Sequence, residues 1–158
     1  MFKGKYMTNN DVFRKLRYIL NYSDQDMKAV FANMDTNVPL SRVQSWLKKE
    51  EDYGHLEITD RDLALFLNGL IVAFRGKKDG RLPVTESNLT HNIVLRKLKI
   101  AYSLQAEEML DIWKLAQFRL SKHELSAFFR KPDHRHYREC KDQILRNFLQ
   151  GMAIKNRQ

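Results

Sequence analysis

The densest concentration of reactive side chains is the run KPDHRHYRECKD at Lys131–Asp142, which holds Asp133, His134, His136, Tyr137, Arg138, Glu139, Cys140 and Asp142. His136 and Cys140 stand four apart, so a helix through this run would put an imidazole and a thiol on one face. Asp133 or His134 would then be a third ligand for a metal. Structural zinc sites bring two close ligand pairs, and this run supplies one. Cys140 with a histidine base is the other chemical reading, as an activated nucleophile. A plainer reading accounts for the same residues. They open a helix from about Tyr137, with Asp133 as a turn or cap residue and Glu139 in the first turn. The chain therefore carries no convergent set of acid, base and nucleophile. It reads as a binding module rather than an enzyme, with no metal or cofactor expected.

A second constellation is basic. Arg119, Lys122, His123, Arg130, Lys131, Arg135 and Arg138 are interleaved with aromatic residues, the supply of flexible cations that phosphate contacts require. The spacing predicts two helices separated by a short turn. On the second of them Lys122, His123, Ser126 and Arg130 would face outward, as on a helix placed in a groove. The turn lacks the usual glycine, and Glu124, Glu139 and Asp142 are interspersed. A solvated basic face is the competing reading.

A third is the pair Arg14-Lys15 and its echo Arg96-Lys97. Ion pairs from Arg14 to Asp60 and from Arg96 to Asp142 would account for the retention of all four. The sequence Arg75-Gly76-Lys77-Lys78 lacks the spacing of a phosphate loop and reads as part of a flexible tether.

The elements that position these groups are written twice. NDVFRKL at Asn10–Leu16 lies on NIVLRKL at Asn92–Leu98 at an offset of 82 residues. The same offset pairs Thr8 with Thr90, Met27 with Met109, Val30 with Ile112, Phe31 with Trp113, Trp46 with Phe128, and Phe66 with Phe148. It also pairs Gly54 with His136 and Ile58 with Cys140, so the first copy repeats neither candidate ligand. An apolar partner for Cys140 suggests that it packs as a small hydrophobe.

Within each copy, apolar residues recur at three- and four-residue steps behind cap residues, which predicts four helices and no strands. Pro39 suits a first helical turn, Gly54 and Pro132 read as stops, and Thr59 opens a long fourth helix. The expected fold is all-α, an internally duplicated helical domain with pseudo-twofold packing. Its parts are copy one over 7–75, a linker over 76–88 and copy two over 89–158, the copies packed as one globular body. A mid-helix glycine costs about 1 kcal/mol against alanine, yet both fourth helices carry one, Gly69 and Gly151. Helices approaching too closely for a Cβ would explain the pair.

Each copy is near the size at which a lone core is marginal. The apolar run Leu63–Phe74 is too short and too interrupted to cross a bilayer. Lys3 and Lys5 have no apolar stretch behind them, so no secretory signal is expected, and residues 1–6 lie outside the repeat. A single cysteine fits a reducing cytosol. The net charge of +9 is unevenly placed. Residues 7–75 hold nine basic and ten acidic side chains, a net of −1, whereas 89–158 hold fourteen and seven, a net of +7. An anionic partner belongs with the second copy.

NIVLRKLKIAYSL at Asn92–Leu104, FLNGLI at Phe66–Ile71 and KPDHRHYRECKDQILRNFLQG at Lys131–Gly151 resemble the YehS-like family of bacterial proteins, whose domain of unknown function (number 1456) occurs twice per chain. The resemblance implies a duplicated cytoplasmic domain and transfers no activity, cofactor or catalytic residue. Two functions are expected from different classes. One is nucleic-acid association through the basic copy. The other is a protein–protein adaptor whose groove between the copies receives a partner segment. The chain is expected to be a monomer or a weak homodimer with no membrane association.

Overall fold

A computed structural model describes residues 6–157, so the reading of the extreme N-terminus lies mostly outside the described residues. Eight helices and no strand are present among those residues, with one isolated bridge between Lys78 and Arg81. The helices are α1 (Asn9–Leu20), α2 (Asp24–Ala32), α3 (Leu40–Leu47) and α4 (Asp60–Arg75), then α5 (His91–Ala101), α6 (Ala106–Leu115), α7 (Lys122–Phe128) and α8 (Asp142–Asn156). Each of the second four begins 82 residues after its counterpart. No helix of the described residues is long and apolar enough to cross a membrane. The chain divides into compact units over Met7–Leu89 and Thr90–Gln158.

All but α3 and α8, which follow Pro39 and Lys141, start where side chains can satisfy their first N–H groups. Thr8, Ser23, Gln105 and Ser121 each form a capping box with the residue three positions on, and Thr59 and Thr90 cap α4 and α5. Two turns reverse the chain through left-handed residues at matching places. Asn21 and Ser103 have φ of 56° and 53°, and Asp35 and Gln117 have 53° and 59°.

The first unit is built around four rings. Phe13 meets Phe66 edge-on at 4.9 Å and Trp46 at 6.0 Å, while Phe31 lies 5.4 Å from Phe66 and 5.7 Å from Trp46. In the second unit Trp113 lies 4.8 Å from Phe148 and 6.5 Å from Phe128. The Phe31–Trp46 pair of one unit thus returns in the other as Trp113–Phe128. The indole has changed helix, and its N–H now donates to the Ile144 carbonyl at 2.9 Å.

At Gly69, a Cβ would overlap the carbonyl oxygen of Val30 on α2 and stand 2.8 Å from that residue's Cγ1. At Gly151 it would overlap the carbonyl oxygen of Ile112 on α6. In each unit the fourth helix lies against the backbone of the second.

Two buried asparagines join the ends of the helices. Asn10 Nδ2 donates to the carbonyls of Trp46 (3.0 Å) and Leu56 (2.8 Å), and its Oδ1 accepts from the Ile58 N–H (3.2 Å). Asn92 repeats the arrangement with Phe128 (2.9 Å), Arg138 (2.8 Å) and Cys140 (2.8 Å). Beside them, the N–H groups of Leu56 and Arg138 donate to the carbonyls of Ser45 and Ala127.

These bonds correct three expected boundaries. Helix α8 starts at Asp142 rather than near Tyr137, because the carbonyl of Arg138 and the N–H of Cys140 are spent on Asn92. Helices α3 and α7 end at Leu47 and Phe128, well before Gly54 and Pro132, because their last carbonyls accept bonds from outside the helix. The segment read as a free tether is also held. Asn68 Nδ2 on α4 donates to the Val84 carbonyl (3.1 Å) and Thr85 Oγ1 (3.3 Å), and the Leu89 N–H donates to Asp60 (3.0 Å).

Two substitutions test this framework by urea unfolding. Gly151→Ala should lose about 1–3 kcal/mol despite the better helix former, because the obstructing atoms belong to a carbonyl that cannot rotate away. Asn92→Asp keeps the acceptor but turns a carboxylate toward two carbonyls, and should cost about 3 kcal/mol or more.

Candidate nucleic-acid interface

Helix α7 is positioned by its apolar residues. Leu125, Ala127 and Phe128 are buried, which leaves Lys122, His123 and Ser126 exposed. Lys122 Nζ meets Glu107 Oε1 on α6 at 2.7 Å, and this hydrogen bond is the main cause of the lowered Glu107 pKa. Arg138 Nη1 meets Glu124 Oε2 at 2.7 Å, and its Cζ lies 5.9 Å from the centre of the Phe128 ring. The Ser121 N–H and then Arg138 hold the Glu124 carboxyl below its usual range.

Arg119, Lys131 and Arg135 are exposed and Arg130 is half-buried. Arg130 lies beyond the end of α7, so the expected outward row of Lys122, His123, Ser126 and Arg130 on one helix does not form. The cations instead divide between a short helix and the loop after it.

That loop has defined geometry. The His134 N–H donates to the Lys131 carbonyl and the Tyr137 N–H to the His134 carbonyl, both at 2.9 Å. The His136 N–H donates to His134 Nδ1 at 3.0 Å, and Arg135 Nε stands 3.2 Å from His136 Nε2. The two imidazoles are 5.6 Å apart. From α5, Arg96 Nη2 donates to the Phe129 carbonyl at 3.4 Å, and Lys99 Nζ lies 5.8 Å from the Phe129 ring.

The metal and nucleophile readings lose their geometry. Residues 133–141 are not helical, so His136 and Cys140 share no helical face. Among the described residues no group of three or more His, Cys, Asp or Glu side chains could hold a metal ion. Cys140 is 1% exposed, and burial, with Asp142 and Glu139 adding to it, pushes its thiol up to about 12. A thiol this reluctant to ionise is not a nucleophile near neutral pH.

The expected ion pairs are also replaced. Arg14 binds Asp11 at 2.6 Å and donates to the Lys48 carbonyl at 2.8 Å. Asp60 accepts from Asn9 Nδ2 at 2.7 Å as well as from the Leu89 N–H. Asp142 lies 3.4 Å from His91 Nδ1. Both arginines reach the carbonyl end of the third helix of their unit, where the helix dipole favours a cation. Both aspartates stand at the N-terminus of the fourth helix and take the residue that opens the first, Asn9 or His91. Four residues are retained, in pairings other than those expected.

The first unit carries the counterpart of the basic loop with other chemistry. Lys48 and Lys49 are followed by Glu50, Glu51 and Asp52, and Lys48 Nζ is turned back onto the Tyr53 carbonyl at 2.9 Å. Beside it is a cleft of about 210 Å³ lined by Thr8, Asn9, Asn10, Glu50, His55, Glu57 and Ile58. The asparagines at 10 and 92 escape a reading based on apolar periodicity. Their signal was an identical polar residue at the same register of both copies.

Comparison with known proteins places this architecture. The family described as "Protein of unknown function (DUF1456)" matches residues 9–76 and again 91–158. The chain is 40% identical over 150 residues to "Uncharacterized protein YehS" of Escherichia coli (strain K12), with 94% of this chain and 96% of that protein covered. No solved structure matches. The chain belongs to the DUF1456 family and carries its domain twice in tandem.

Proposed function

We propose that the protein is a non-catalytic binding module that associates with nucleic acid through the exposed cations of its second unit. The observation that supports this most is the contrast between two loops on one scaffold. After α7 the chain presents Arg130, Lys131, Arg135 and Arg138, where the first unit has Lys48, Lys49, Tyr53 and Leu56, and the acidic run Glu50-Glu51-Asp52 stands where the second unit has Pro132, Asp133 and His134. The fold is common to both, so Arg135, Arg138 and the replacement of two of three acidic residues are not demanded by it. Arg119, Lys122 and His123 are exposed cations or potential cations of the same unit. Lys122 and Arg138 already face carboxylates, but exposed pairs contribute about 0–1 kcal/mol, so a phosphate can take their place. The single buried cysteine suits a reducing compartment, and we assign this activity to the cytoplasm.

Binding of the full chain to labelled oligonucleotides, followed by fluorescence anisotropy across a salt series, tests the proposal. Affinity should fall steeply with salt, with a logarithmic slope of about −0.7 to −0.9 for each phosphate engaged. Reversing Lys122, Arg130 and Arg135 together to Glu should weaken binding by about a hundredfold or more, while reversing Lys48 and Lys49 should leave it unchanged. Absence of any salt-sensitive binding, to duplex or single strand, overturns the proposal.

A further inference from the structure

We infer that the loop Arg130–Tyr137, rather than helix α7, is the contact element and that its ligand is a single-stranded nucleic acid. This rests on the nucleic-acid reading above and narrows it.

Reading a duplex from the major groove calls for a helix or a two-stranded ribbon that can lie in it. Helix α7 has seven residues, and three of them are buried. The residue that would extend its outer row, Arg130, lies beyond its end.

The loop has the opposite character. Both of its ends are held by one side chain, since Asn92 Nδ2 donates to the carbonyls of Phe128 and Arg138. A further bond from the Arg138 N–H to the Ala127 carbonyl (3.2 Å) closes its base. Two successive turns shape its interior. From that frame Lys131, His134, Arg135 and His136 are all exposed.

The side chains suit unstacked bases. His134, Arg135 and His136 carry planar groups, the guanidinium meeting the His136 ring at 3.2 Å and the two rings 5.6 Å apart, and imidazole and guanidinium planes are surfaces on which splayed-out bases stack. Arg130 and Lys131 supply charge for the adjoining phosphates. RNA and DNA share the chemistry invoked here, a flexible phosphodiester strand with exposed base faces. The first unit supplies an internal contrast. Asn10 holds the corresponding loop in the same way, but the acidic run Glu50-Glu51-Asp52 would repel a strand.

The test compares full-length protein on a single-stranded RNA, a single-stranded DNA of the same sequence, and the matching DNA duplex at one salt concentration. At least one single strand should bind about tenfold tighter than the duplex, and the tighter of the two identifies the strand chemistry. His134→Ala with His136→Ala should weaken that binding about fivefold or more with little change in salt slope, because stacking is lost and no phosphate contact is. Arg135→Glu should weaken it and flatten the slope. These residues are exposed, and circular dichroism verifies that the variants remain folded. Equal or tighter binding to duplex overturns the loop assignment and leaves nucleic-acid association standing. So does loss of binding in Lys122→Glu with none in the loop variants. Failure to bind any of the three strands removes both readings.

Discussion

In each unit one amide side chain satisfies three backbone groups that would otherwise go unpaired. Asn10 and Asn92 take two carbonyls and one N–H apiece, across sequence separations of 36 to 48 residues. Because the amide is buried, these bonds are made where an unpaired polar group is most costly. A single residue at the start of the first helix thereby determines where the third helix stops and where the approach to the fourth is fixed. The stretch between is relieved of holding the fold. It presents acid in one unit and base in the other without changing the frame.

The helices themselves were legible because their signals are local. Caps such as Thr8 and Ser121 act over three residues, and apolar steps such as Leu63, Phe66, Leu67 and Leu70 repeat within one turn or two. What the sequence did not disclose is long-range. Nothing near Tyr137 says that its neighbours' backbone groups will be taken by a residue far back in the chain, and so local signals alone start α8 too early. The ion pairs failed for a related reason. Retention of Arg14, Asp60, Arg96 and Asp142 in both copies indicates that each has a partner, but not which one. Backbone carbonyls, invisible to a search for complementary charge, supplied part of the answer. Of the candidate interface, the residue types were legible and their division between helix and loop was not.

The two cores show how far the copies have diverged while keeping one plan. Phe31 and Trp46 became Trp113 and Phe128, so two large rings were retained and exchanged between helices. Close-packed interiors tolerate volume-conserving rearrangements far better than net loss or gain of atoms. Phe13 has meanwhile given way to Leu95, and the four-ring cluster of the first unit has lost a member. The units are therefore chemically separable despite common ancestry, in surface charge as well as interior detail.

The glycines on α4 and α8 carry a consequence for how such divergence was tolerated. Each meets a main-chain oxygen first, with a γ-carbon of the same residue, Val30 or Ile112, behind it. The depth at which those two rods engage is accordingly set by atoms that every amino acid possesses. Side chains around the crossing can be exchanged over generations without altering its spacing, and the same bare notch leaves the rods little freedom to slide past one another.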